Sequence, residues 1–117
     1  MSLTNLEKTV VEYQQAGTAW IEAKLKSDQA EEGQKSFLAA IVDELDDNNT
    51  AEGKLERMAK ATPRYRKYVA AMCAARAETL RRRVRFDSLG MLFEARRSEL
   101  SYQKEQVAKG IFHTGGR

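Results

Sequence analysis

At 117 residues, 42% hydrophobic and 32% charged, with net charge +3 and mean hydropathy −0.62, the chain can build one core beneath a heavily solvated surface. A single cysteine, Cys73, excludes an internal disulfide, and no apolar run approaches the ~20 residues of a membrane span. With no signal peptide ahead of the domain, these features imply a cytoplasmic protein. The modest net charge conceals a separation. Residues 1–56 carry −7, residues 57–97 carry +9 and residues 98–117 carry +1. Such asymmetry suits either a nucleic-acid surface or two halves that lie against each other.

Thr4 followed by Glu7 forms a capping box, so a helix is expected to start there. A seven-residue row runs from it: Leu6, Tyr13, Trp20, Ser27, Gln34 and Ile41. Leu3, Val10, Gly17, Lys24, Glu31, Leu38 and Leu45 form the neighbouring row. The apolar phase survives the polar middle, which predicts one helix over about 4–46 with a soft spot at Gly33, where glycine costs ~1 kcal/mol relative to alanine. The alternative is two helices broken around Ser27–Ser36. "DDNNT" (46–50) has turn chemistry, and "AEGKLERMAKA" predicts a short helix over about 51–60 showing Leu55, Met58 and Ala59. Thr62-Pro63 then reads as a cap and first helical position, opening a helix over about 63–109. Residues 110–117 read as a flexible tail following a single helical domain, 1–109.

Plotted at 100° per residue, the last helix shows two apolar stripes. Tyr65, Val69, Met72, Cys73, Leu80, Val84, Met91, Ala95 and Tyr102 form the first, read as the core. Phe86, Leu89, Phe93 and Leu100, with Val107, form the second, which predicts an oligomer interface and hence a homo-oligomeric coiled-coil-like bundle. Folding the chain at 47–62 sets the long helices antiparallel. Placing Leu45 near residue 65, give or take a turn, brings Trp20 over Gly90 and sets Asp28, Glu31 and Glu32 opposite Thr79–Arg83.

"LRRRVRFDSLGMLFEARRSEL" (80–100) holds six arginines. They do not share a face: relative to Arg76, the directions of Arg81, Arg82, Arg83 and Arg85 are about 140°, 240°, 340° and 180°. Ion pairing explains them best, Arg83 with Asp87 one turn on and others with the acidic stretch of the first helix. The alternative is a nucleic-acid grip formed by Arg81, Arg82 and Arg85 with the cluster Arg64, Arg66 and Lys67, where Tyr65 and Tyr68 interleave as in single-strand binders. Catalysis is not expected, nor a metal or cofactor. The only histidine is His113, no phosphate-cradling glycine motif occurs, and "DELDDNN" lacks the glycine and closing glutamate of a calcium loop.

The stretch "KSFLAAIVDEL … ERMAKATPRYRKYVAAMCAARAETLRRRVRFDSLGMLFEARRSEL" (35–100) resembles small helical proteins from the early regions of temperate phages and prophages. "ATPRYRKYVAAM" and "FEARRSEL" are its most specific parts. Such genes often lie near those of single-strand-annealing and single-strand-binding proteins. The resemblance implies a non-enzymatic accessory to DNA recombination or replication that acts through protein partners. Alternatives are direct nucleic-acid binding and inhibition of a host nuclease.

Overall fold

The computed structural model describes residues 4–115, with side chains through residue 110. Three helices make up the described chain: α1 (Asn5–Leu45), α2 (Glu52–Lys60) and α3 (Pro63–Gly115). It is all-α, with the two long helices packed together, antiparallel, and the short one between them in sequence. α1 is unbroken through Ser27–Ser36, as the persistent seven-residue phase predicts. α3 runs to Gly115, past the expected end at 109. Leu3 and the side chain of His113 lie outside the described residues.

Local chemistry accounts for each boundary. The Glu7 backbone N–H donates to Thr4 Oγ1 at 3.1 Å, capping α1. Beyond Leu45, one oxygen of Asp47 accepts from the N–H groups of Asn49 and Thr50 and from the Thr50 hydroxyl, each at 3.0 Å. Asn48 takes the left-handed conformation at φ 64°, which asparagine tolerates better than most residues. The Thr62 hydroxyl accepts the Tyr65 N–H, and Pro63 follows where its missing donor costs nothing.

The chain divides into two compact units. Trp20–Arg81 forms one. Ile41, Ala59 and Tyr65 are its buried centre, with Phe37, Leu38, Val42, Leu45 and Val69 around them. α2 contributes Leu55 and Ala59 to the interior, whereas Met58, expected beside them, is exposed. Phe37 stacks on Tyr68 with ring centroids 4.6 Å apart. The Tyr68 hydroxyl donates to the Ala30 carbonyl, and Gln34 Nε2 donates to the Tyr65 hydroxyl at 3.0 Å. A Cβ on Gly33 would sit 2.8 Å from the Tyr68 hydroxyl oxygen. Gly33 is therefore the seat of a tyrosine and not the soft spot expected from its helix propensity.

Met1–Ala19 and Arg82–Arg117 form the other unit. Thr9, Ala16 and Leu89 are buried in it. The Tyr13 ring packs between Phe86 and Phe93, at centroid distances of 4.7 and 5.9 Å. Two glycines make room for this aromatic cluster. Gly17 lies under Phe86, and Gly90 lies under Tyr13, whose hydroxyl oxygen would be 3.1 Å from an added Cβ. The ring over Gly90 is thus one heptad earlier than the indole of Trp20 placed there by the sequence reading. In the Trp20–Arg81 unit Tyr65 clusters with Ile41 and Ala59, and Leu45, which the sequence reading set near it, packs against the same cluster.

Candidate interaction surfaces

The surfaces follow from which stripe of α3 meets α1. Tyr65, Met72, Phe86, Leu89 and Phe93 are buried or half-buried, so the contact recurs every seven residues, with Leu89 on the adjoining row. A straight helix drifts ~20° per heptad against such a repeat. Over the four heptads from Tyr65 to Phe93 the drift reaches about 80°. The second stripe at 100° per residue is therefore the continuation of the first. Phe86, Leu89 and Phe93, read as an oligomer interface, are engaged by α1 of their own chain, and Leu100 lies partly exposed beyond them. Conversely, Leu80, Val84, Met91 and Tyr102, read as core, are 61–70% exposed. Cys73 is exposed as well.

α1 needed no such correction, because its row was followed by heptads from the outset. Leu6, Tyr13, Trp20, Ser27, Gln34 and Ile41 are all buried or half-buried, Ile41 most completely. A flanking row that the sequence reading missed, Thr9, Ala16, Ala23 and Ala30, is also shielded. Its signal was small side chains at seven-residue spacing, which allow a close neighbour. On the outer side of α1, Ile21 and Leu25 are 65% and 57% exposed one turn apart.

The basic residues do not converge. Arg64 pairs with Glu44 on α1, and Arg76 with Glu31. The Arg64 guanidinium donates to the Glu44 carboxylate and, with its charge, holds that carboxyl below its usual range. Arg64 is raised in turn, as Arg76 is by Glu31. Arg66 and Lys67 are exposed in the first turns of α3. Arg81 bonds Glu78 within the helix at 3.0 Å, and Arg82 and Arg85 are exposed. Seventeen residues separate Arg64 from Arg81, about 26 Å of helix. Of the pairing expected between residues 28–32 and Arg76–Arg85, the Glu31–Arg76 contact is present, and it lies three residues short of Thr79–Arg83. Asp28 bonds Lys24 on its own helix, and Arg83 approaches Asp87 at 3.8 Å.

One buried polar atom marks the far end of the contact. Arg96 Nε is enclosed with no hydrogen-bond partner among the described residues. Arg96 lines an open groove of about 400 Å³ with Thr4, Leu6, Glu7, Glu99 and Leu100. Among the described residues, no group of three or more His, Cys, Asp or Glu side chains is placed to hold a metal ion. No described helix is long and apolar enough to cross a membrane. Compared with protein-family models, curated proteins and solved structures, the chain matches none.

Proposed function

We propose that this chain is a non-catalytic interaction protein of the cytoplasm, working through protein partners as an accessory to DNA recombination or replication. One observation supports this reading above others: large apolar side chains stand exposed at helical spacing after the long helices have packed. Ile21 and Leu25 on α1 are the clearest pair. Adjacent exposed apolar residues one turn apart suit a helix or groove on another protein. The recombination setting rests on the resemblance of residues 35–100 to phage early-region proteins. A host nuclease as the partner would use the same kind of surface.

Direct nucleic-acid binding is the second reading, favoured by the exposure of Arg66, Lys67, Arg82 and Arg85. Two titrations separate them. In calorimetry against a phage single-strand-annealing protein and a single-strand-binding protein, the interaction reading expects saturable binding that Ile21→Asp with Leu25→Asp abolishes while helicity is kept. In a titration of labelled single-stranded DNA at ~50 mM salt, which favours non-specific contact, it expects no binding. A DNA affinity that falls steeply with added salt, and falls again in Arg82→Ala with Arg85→Ala, would transfer the function to the arginines.

A further inference from the structure

Val84, Met91 and Tyr102 of α3 are 64%, 70% and 61% exposed in the unit that contains Tyr13 and Phe86. With the exposed Ala95 they recur at seven, four and seven residues, an eleven-residue period. That period is close to a whole number of turns, so these side chains form a nearly straight ribbon along the helix. A ribbon of this width matches the face of another helix.

Charge identifies which helix. At the start of the ribbon its two edges carry Arg83 and Arg85; at its end they carry Glu105 and Glu99, respectively. On a helix wheel, Arg85 and Glu99 border one edge, Arg83 and Glu105 the other. When two copies of such a ribbon meet antiparallel, like edges come together with their ends exchanged. Arg85 of each copy then lies beside Glu99 of the other, and Arg83 beside Glu105. Apolar shapes fit in the same register, with Val84 opposite Tyr102 and the large Met91 opposite the small Ala95. A parallel pair would set arginines level with arginines and glutamates with glutamates. Arg83 is shared with Asp87, at 3.8 Å, and Glu94 approaches Arg97 at 3.9 Å, so acidic residues along the middle of the ribbon have cations on their own helix.

We infer that a second copy of this chain docks antiparallel on the Val84–Met91–Tyr102 ribbon, forming a two-fold homodimer through α3. The inference rests on the reading that the protein works by protein contacts, and it names one of those contacts. Two-fold symmetry makes the surface self-complementary, so each residue pair counts twice and no open filament results. The face is distinct from Phe86, Leu89 and Phe93, which α1 occupies.

Sedimentation equilibrium on the full chain at micromolar concentrations tests it, with circular dichroism confirming helicity. Dimers are expected, and Met91→Asp should weaken the dissociation constant by at least about tenfold, as for loss of a central apolar anchor. Met91 is 70% exposed, so the variant should keep its fold. Arg85→Glu removes two Arg85–Glu99 pairs per dimer and should weaken association about two- to thirtyfold, at ~0.2–1 kcal/mol for each exposed ion pair, and Arg85→Glu with Glu99→Arg in one chain should restore it. A chain that stays monomeric overturns the homodimer while leaving heterologous binding to the calorimetric titration. Dimers indifferent to both Met91→Asp and Val84→Asp overturn the ribbon as the contact. Dimers weakened by Met91→Asp but not rescued by the paired charge reversal overturn the antiparallel register.

Discussion

Gly33 and Tyr68 show how one contact can reverse a propensity argument. Alanine at a helical glycine ordinarily stabilises by ~1 kcal/mol. Here the new Cβ would press on the Tyr68 hydroxyl oxygen at 2.8 Å and disturb its hydrogen bond to Ala30, a bond of the kind that contributes ~1 kcal/mol. Gly33→Ala should therefore be near neutral or destabilising in the parent chain. In a Tyr68→Phe background, with the hydroxyl gone, the same substitution should stabilise by roughly 0.5–1 kcal/mol. Urea denaturation of the four chains gives the coupling directly. Equal effects in both backgrounds would show that the contact carries no energy.

Among the elements, the turn between α1 and α2 depends on the ionisation of one carboxylate. Asp47 is held below the usual aspartate range, first by the Asn49 N–H and then by the Thr50 hydroxyl. Because its folded value lies below its unfolded one, the stabilisation is complete above about pH 4, the unfolded aspartate range. It is lost as pH falls through the folded value. The melting temperature of Asp47→Ala should accordingly lie below the parent's at neutral pH, with the gap narrowing toward pH 3. A gap independent of pH would mean that the charged carboxylate is not what holds the turn. α2 itself illustrates a limit of local reasoning. Its helical character and its bounds are plain from "EGKLERMAK", yet its depth is not. Only contact with Ile41 and Tyr65 determines that Ala59, and not Met58, is buried.

At the scale of the whole molecule, the two units should open with different free energies, because opening tracks buried apolar contact. Trp20–Arg81 has a three-helix centre around Ile41, Ala59 and Tyr65. The other unit buries Leu89, Ala16 and Thr9 between segments of two helices. Native-state hydrogen exchange should find the amides around Met72 more protected than those around Phe93. Residues 101–110, whose side chains are all exposed, should exchange faster than the preceding turns of α3 around Phe93. If Phe93 were as protected as Met72 at concentrations where the chain is monomeric, the two units would open as one.

The helical class, the three elements, the turn and both N-terminal caps were legible without coordinates, because each depends on residues within a few positions of one another. Thr4 with Glu7, the Asp47 turn and Thr62-Pro63 are local bargains between side chain and backbone. The continuity of α1 was legible for a related reason: a strict seven-residue row from Leu6 to Ile41 is a periodic signal that one polar stretch cannot hide. The facing of α3 could not be read in the same way. On an isolated wheel, Tyr65 and Phe93 fall on different stripes, and only a partner helix that follows the heptad repeat makes them one surface. That single choice decides that Phe86 and Leu89 face inward and Met91 outward, and so where a partner can bind. Register was likewise decided by tertiary contact, since Tyr65 clusters with Ile41 and Ala59 and Tyr13 covers Gly90. Local bonding selects the elements; close packing between helices selects which of their faces remain free.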